Sequence, residues 1–166
     1  MTDLPLVEDA FAVPEAFVAH GLRLELLGPQ HNEADHAAWM SSIAHIRSTP
    51  GFDRGWPPAA GMTLAENRAD LVGHAQRSRQ RVDFAYSVIE IATGDVVGCV
   101  YFEPSPMGEG EVTASSWVTA ARAELDPPLT EIVGAWLRDV WPFAVVHYRR
   151  GEVPVTIRPS PEQPVG

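Results

Sequence analysis

The chain has 166 residues, 45% of them hydrophobic, with 22 acidic residues against 12 basic ones and a formal net charge of −10. That length and apolar content suit one domain with a sizeable core, and the negative balance argues against non-specific nucleic-acid binding, which draws on Lys and Arg meeting phosphates. No apolar run approaches the ~20 residues of a membrane span, the first residues lack a basic stretch ahead of an apolar one, and the single cysteine, Cys99, excludes an internal disulfide; the expected location is the cytoplasm.

All twelve basic residues are Arg. An acidic surface reads as solubility or as attraction for a cationic substrate. Residues 1–18 read as an N-terminal arm whose Phe11 and Phe17 pack on the domain or on a partner. A folded domain then spans 19–150, and 151–166 is a proline-rich tail.

Leu22, Leu24 and Leu26 alternate with Arg23 and Glu25, which predicts a half-buried strand ended by Gly28-Pro29. Asn32 is placed to cap a helix from Glu33 to about His45, with Trp39, Met40, Ile43 and Ile46 as its apolar face. Arg47 to Met62 is a Gly/Pro-rich break holding Phe52 and Trp56. A connection this long is usually functional or mobile. Its aromatics line a substrate pocket or simply cover the core. Thr63-Leu64-Ala65-Glu66 is a capping box opening a helix to about Gln80, with Leu64, Leu71, Val72 and Ala75 inward. Arg77, Arg79 and Arg81 near its end read as a phosphate site or as a solvated last turn favoured by the helix dipole. Asp83 to Ile91 and Val96 to Phe102 are strands joined around Thr93-Gly94-Asp95, a hairpin signal. Gly98 inside the second strand marks a bulge or a close contact.

The richest stretch runs from Val112 to Tyr148. Val112 to Val118 reads as a buried strand, Thr119 to Leu125 as a tight connection, and Asp126 as the N-cap of a helix with Pro127 in its first turn. Ile132, Val133, Trp136, Leu137 and Val140 give that helix one apolar face, Trp141-Pro142 closes it, and Phe143 to Tyr148 is a second strand. Strand, crossover helix, strand implies a parallel pair with a right-handed connection. Ligands of such units gather outside the carboxyl end of the first strand. The expected fold class is α/β (α+β): a mixed, mainly antiparallel sheet flanked by helices, in which only these two strands run parallel.

Over residues 20–150 this order resembles the GNAT superfamily of acetyl-CoA-dependent N-acetyltransferases. The resemblance is carried by Leu22 to Leu27, by the hairpin from Tyr86 to Tyr101 with its Gly98, and by Ser116-Trp117-Val118 followed by a helix ending in Trp136-Leu137 and then Phe143 to Tyr148. It implies a GNAT-like sheet, with acetyl-CoA as co-substrate between two splayed parallel strands. It also assigns cofactor contacts to the backbone of Ser116, Trp117 and Val118. In that family a loop of the form Arg/Gln-x-x-Gly-x-Gly/Ala holds the pyrophosphate. Here the loop reads Arg122-Ala123-Glu124-Leu125-Asp126-Pro127-Pro128, which has no glycine, two added acids and two prolines without N–H groups. Arg122 remains as the phosphate contact. The family continues past the last strand with a helix and two further strands, where this sequence has the proline-rich tail.

Acetyl transfer needs a base near the amine and an acid for the leaving thiolate. Among the strand residues the expectation is Glu103 as base, with Glu90 as alternative, and Tyr148 as acid, with His147 similarly placed. Phe52 and Trp56 are the expected substrate contacts. No metal site is expected, because the six histidines show no ligand spacing, and Cys99 reads as core. Two functions stay open. One is N-acetyl transfer from acetyl-CoA to an amine of a small molecule or peptide. The other is a GNAT-fold protein without CoA binding, acting as a ligand-binding or interaction module. A homodimer covering the last strand's edge, or using Phe11 and Phe17, is expected.

Overall fold

A computed structural model describes residues 4–149 and the strand Val153–Thr156. The strands are β1 (Ala16–Ala19), β2 (Leu22–Leu26), β3 (Phe84–Glu90), β4 (Val96–Pro104), β5 (Val112–Val118), β6 (Val145–Tyr148) and β7 (Val153–Thr156), lying side by side in that order in one sheet. The β5–β6 pair is parallel, and every other pairing is antiparallel. This is the mixed sheet that the crossover pattern implies. Among the described residues four α-helices accompany it: α1 (Asn32–Met40), α2 (Ile43–Arg47), α3 (Leu64–Arg79) and α4 (Asp126–Asp139).

Period-2 alternation sorts the side chains onto two faces. Phe84, Tyr86 and Val88 of β3, Val100 and Phe102 of β4, and Val112, Ala114 and Val118 of β5 meet Leu129, Val133, Trp136 and Leu137 of α4. Ala85, Cys99 and Trp117 take the other face, against Ala38 and Trp39 of α1, Ile46, Phe52 and Leu71. Both faces of β3 and β4 are covered over most of their length, so these strands read as nearly continuous apolar runs, whereas β5 carries Thr113, Ser115 and Ser116 among its apolar residues.

The remaining strand, Ala16–Ala19, lies in the segment expected to be an arm. It pairs with β2, and its Phe17 stacks on Trp136 at 4.6 Å, while Phe11 meets Trp141 at 5.3 Å. The edge of β6 is taken by β7. The two surfaces from which a homodimer was expected are therefore used within the chain. The tail from residue 157 onward lies outside the described residues.

Several local expectations are corrected. The helix expected from Glu33 to His45 breaks into α1 and α2 at Ser41-Ser42, where the buried Ser42 Oγ accepts the Ala120 N–H at 2.8 Å. Asn32 and Asp126 are the first helical residues rather than caps, preceded by His31 and Leu125. Thr63 caps α3 as expected, accepting the Glu66 N–H at 3.1 Å, but Leu64 faces solvent and Asn67 faces inward. The last crossover strand begins at Val145 rather than Phe143, and α4 ends at Asp139, short of Trp141.

Gly98 lies beside a register shift between Val88 and Ile89. A Cβ added there would lie 2.3 Å from the Trp117 carbonyl oxygen, so the close approach of β4 to β5 requires glycine. Gly98→Ala should destabilise the fold by roughly 2 kcal/mol or more, read as a lowered urea midpoint. A change below about 0.5 kcal/mol would contradict this packing.

Candidate functional site

The face opposite α4 carries a pocket of about 260 Å³ lined by Asp35, Phe52, Trp56, Asn67, Asp70, Leu71, His74, Tyr101, Glu103 and Ser115, with Leu27 and Gly51. Its floor is the sheet, where Tyr101 and Glu103 of β4 and Ser115 of β5 alternate onto this side. Its wall is α3, whose Asn67, Asp70, Leu71 and His74 recur at three- and four-residue spacing along one helical stripe. Its roof is the chain between α2 and α3. Arg47 Nη1 donates to the Pro57 carbonyl at 2.9 Å and His36 Nε2 to the Met62 carbonyl at 2.7 Å, tying that roof down. Gly51, at φ +99°, brings the roof over Ser115, a conformation that L side chains rarely adopt.

Asn67 holds the wall to α1. Its Oδ1 accepts from Trp39 Nε1 at 3.0 Å, and its Nδ2 donates to Asn32 Oδ1 at 2.9 Å and Asp35 Oδ2 at 3.1 Å. Asn32 Nδ2 in turn donates to the Leu64 carbonyl. The aromatic side is continuous: ring centroids of Phe52, Trp56 and Tyr101 lie 5.9, 5.9 and 6.4 Å apart, and Trp56 also meets Trp39 at 5.7 Å and Trp117 at 6.2 Å. Tyr101 Oη accepts from Trp117 Nε1 at 3.0 Å, so the tyrosine is held by its hydroxyl.

The pocket is acidic. Asp35 is raised above the usual carboxylate pKa by burial, with the Asn67 bond opposing. Glu103, at the mouth, is raised by loss of water and then by Asp83, with Arg77 opposing. Burial, then the Arg77 charge, push His74 down to about 4, so its imidazole is neutral near pH 7. Burial also drives the Tyr101 hydroxyl well above its ordinary range. Arg77, the cation beside this wall, is engaged by Asp83 at 2.9 Å and by His74 Nδ1 at 3.1 Å.

The second element is the seam between β5 and β6. These strands pair from Val112 to Ala114 only, so β5 runs on through Ser115–Val118 without a β6 partner. A nucleotide cofactor of the kind implied by the resemblance would enter here, and the residues do not fit one. Thr119 is followed by a 3₁₀ turn, Ala120–Leu125, and α4 opens with Asp126-Pro127-Pro128, which offers a carboxylate and lacks two N–H donors at the usual anion position. Arg122 is committed to Glu90 and Glu124, each at 2.7 Å. Arg149 bridges Asp126 and Ser116, and Tyr148 Oη lies 2.5 Å from Ser116 Oγ. The chain's own side chains thus occupy the seam.

The expected site residues divide accordingly. Phe52, Trp56 and Glu103 meet in the pocket. Tyr148 pairs in register with Ala114 and bonds Ser116, placing it on the α4 face, away from Glu103, with burial pushing its hydroxyl up to about 12. His147 lies on the other face, in a trough with Glu103 and Thr113, 3.5 Å from Glu111. Glu90 is bound to Arg122. Trp117 packs beneath Trp56 and Val118 is core. Sequence reading missed Asp35, Asn67, Asp70, His74 and Tyr101; the polar stripe on the capped helix was the available signal. No group of three metal-binding side chains occurs among the described residues, nor a helix long and apolar enough to cross a membrane.

No protein-family model matches the sequence, and comparison with curated proteins gives no match. The fold does match solved structures. A ribosomal-protein-S5-alanine acetyltransferase from Vibrio fischeri aligns with a TM-score of 0.65 at 9% identity over 80% of this chain and 72% of that one. RimL, a ribosomal L7/L12 alpha-N-protein acetyltransferase in complex with coenzyme A, gives 0.60 at 14% over 78% and 71%. MccE, the microcin C7 self-immunity acetyltransferase, solved with acetyl-CoA and AMP, gives 0.59 at 12% over 79% and 69%. The chain has the GNAT fold, and at these identities the likeness is one of fold.

His74 gives the wall a pH signature. Its folded pKa lies below the ordinary 6.5, so between pH 6.5 and about 4 the unfolded chain takes up a proton that the folded one refuses. Its contribution to stability is intact above pH 6.5 and falls as pH drops toward 4, by at most about 3 kcal/mol. His74→Gln should flatten this part of the stability profile in urea melts at pH 7 and 4.5. An equal acid loss in variant and wild type would contradict the assignment.

Proposed function

We propose that this chain is a GNAT-fold ligand-binding domain that holds a small organic molecule beneath the roof between α2 and α3 and makes no use of acetyl-CoA. The observation carrying this reading is the commitment of the phosphate position: Arg122 is ion-paired to two glutamates, and Asp126 with two prolines stands where N–H donors would have to point at an anion. A pyrophosphate there would meet carboxylates rather than donors. Across the sheet, the pocket is concave and pairs an aromatic side of Phe52, Trp56 and Tyr101 with convergent polar groups, features of a small-molecule site. Acetyl transfer to an amine is the second reading. What favours it is the parting of β5 from β6 after Ala114, next to Ser115 of the pocket, together with the fold shared with acetyltransferases.

Calorimetric titration with acetyl-CoA separates the two. The wild type should give no saturable heat up to about 1 mM ligand. A double variant, Glu124→Gly with Asp126→Gly, should bind measurably more tightly, because it removes two charges and opens the backbone to a phosphate. Micromolar binding by the wild type would overturn the first reading in favour of the second.

A further inference from the structure

We propose that the pocket binds a compact quaternary ammonium compound, its methylated head lying against the rings of Phe52, Trp56 and Tyr101 and its charge balanced by Asp35, Asp70 and Glu103. This deepens the reading above and rests on the pocket being the ligand site.

Three observations carry it. The first is shape. Three ring centroids in a near-equilateral arrangement, 5.9 to 6.4 Å on a side, present aromatic carbon to a space of about 260 Å³, small for a drug-sized ligand. Aromatic faces attract cations through their quadrupole, and this attraction strengthens where water is excluded.

The second is charge. The lining holds three carboxylates and no arginine, its histidine is neutral near pH 7, and the adjacent Arg77 is bound to Asp83. An anion entering here would meet repulsion, and a neutral ligand would leave the carboxylates uncompensated. The whole chain, at −10, adds attraction for a cation at long range.

The third concerns hydrogen bonding. A primary ammonium brings three N–H donors and needs acceptors for each. Here Tyr101 Oη already accepts from Trp117, Asn67 is used at both ends, Asp35 Oδ2 accepts from Asn67, and His74 Nδ1 is engaged by Arg77. Acceptors remain on Asp70, Glu103 and Ser115, and a head without N–H groups needs none of them. It exchanges a diffuse charge and methyl groups for rings and nearby carboxylates.

The test uses choline as probe, its uncharged isostere 3,3-dimethylbutan-1-ol, and ethanolamine, each titrated into the full chain by calorimetry. Choline should bind saturably, with the isostere and ethanolamine each about tenfold weaker or more, the scale of a desolvated cation–π contact. Asp70→Asn, on the exposed surface of α3, should fold normally and weaken choline several-fold. Trp56→Leu should weaken it further, while Trp56→Tyr retains most of the affinity. No saturable choline binding up to about 20 mM, equal binding of the isostere, or tighter binding of ethanolamine would each overturn the proposal. Choline binding in a protein that also binds acetyl-CoA would keep this proposal and remove the preceding one; binding of neither would do the reverse.

Discussion

The arrangement depends on one buried side-chain amide. Asn67, 3% exposed, takes the Trp39 indole N–H on its oxygen and gives its two N–H bonds to Asn32 and Asp35. Every hydrogen-bonding direction it uses joins α3 to α1, and the two helices together form the wall above β4 and β5. A buried amide is stable only when so satisfied, so the network fixes helix register more sharply than apolar packing alone. It also fixes the carboxylate of Asp35 at the pocket and positions Trp39 beneath Trp56.

The two faces of the sheet have diverged in chemistry. On the α4 side, aromatic packing is dense: Tyr86, Phe102, Trp136, Trp141 and Phe143 meet one another at 4.9 to 6.2 Å, and polar groups there close on each other, as Tyr148 does with Ser116. On the α3 side, aromatics border open space and carboxylates. The seam where β5 leaves β6 would connect the faces, and Arg149 with Asp126 spans it. The α3 side carries the pocket, while the turn into α4 carries acids at Glu124 and Asp126. This agrees with the general rule that function resides in the site rather than in the fold.

The sheet was legible because its signals are local. The Thr93-Gly94-Asp95 turn, the Gly98 contact, the Thr63 cap and the apolar stripe of α4 each follow from nearest-neighbour geometry, and the strand–helix–strand order gave the parallel pair. Strand β1 was hidden because its pairing with β2 wins over a short segment with little alternation of its own. The split of the first helix was hidden because it depends on Ser42 reaching Ala120, a partner far along the chain. Loop composition left Phe52 and Trp56 as either pocket lining or core cover, and strand position made Glu103 a candidate base; all three line the pocket. Asp35, Asn67 and His74 were not identifiable, because each gains its role only when two helices cross. The sheet face of Tyr148, opposite to that of Glu103, was not legible, since strand parity relative to β5 is set by register and not by the sequence of β6 alone.

The most direct measurement is a two-dimensional NMR spectrum of the tryptophan indole N–H groups. Three report on the pocket side: Trp56, Trp39 through its bond to Asn67, and Trp117 through its bond to Tyr101. Two report on the α4 side, Trp136 and Trp141. Addition of choline should move the first three signals and leave the other two, and addition of acetyl-CoA should move none. Shifts of Trp117 and Trp136 on adding acetyl-CoA, with choline silent, would contradict the account that the pocket, and not the seam, is the working site of this fold.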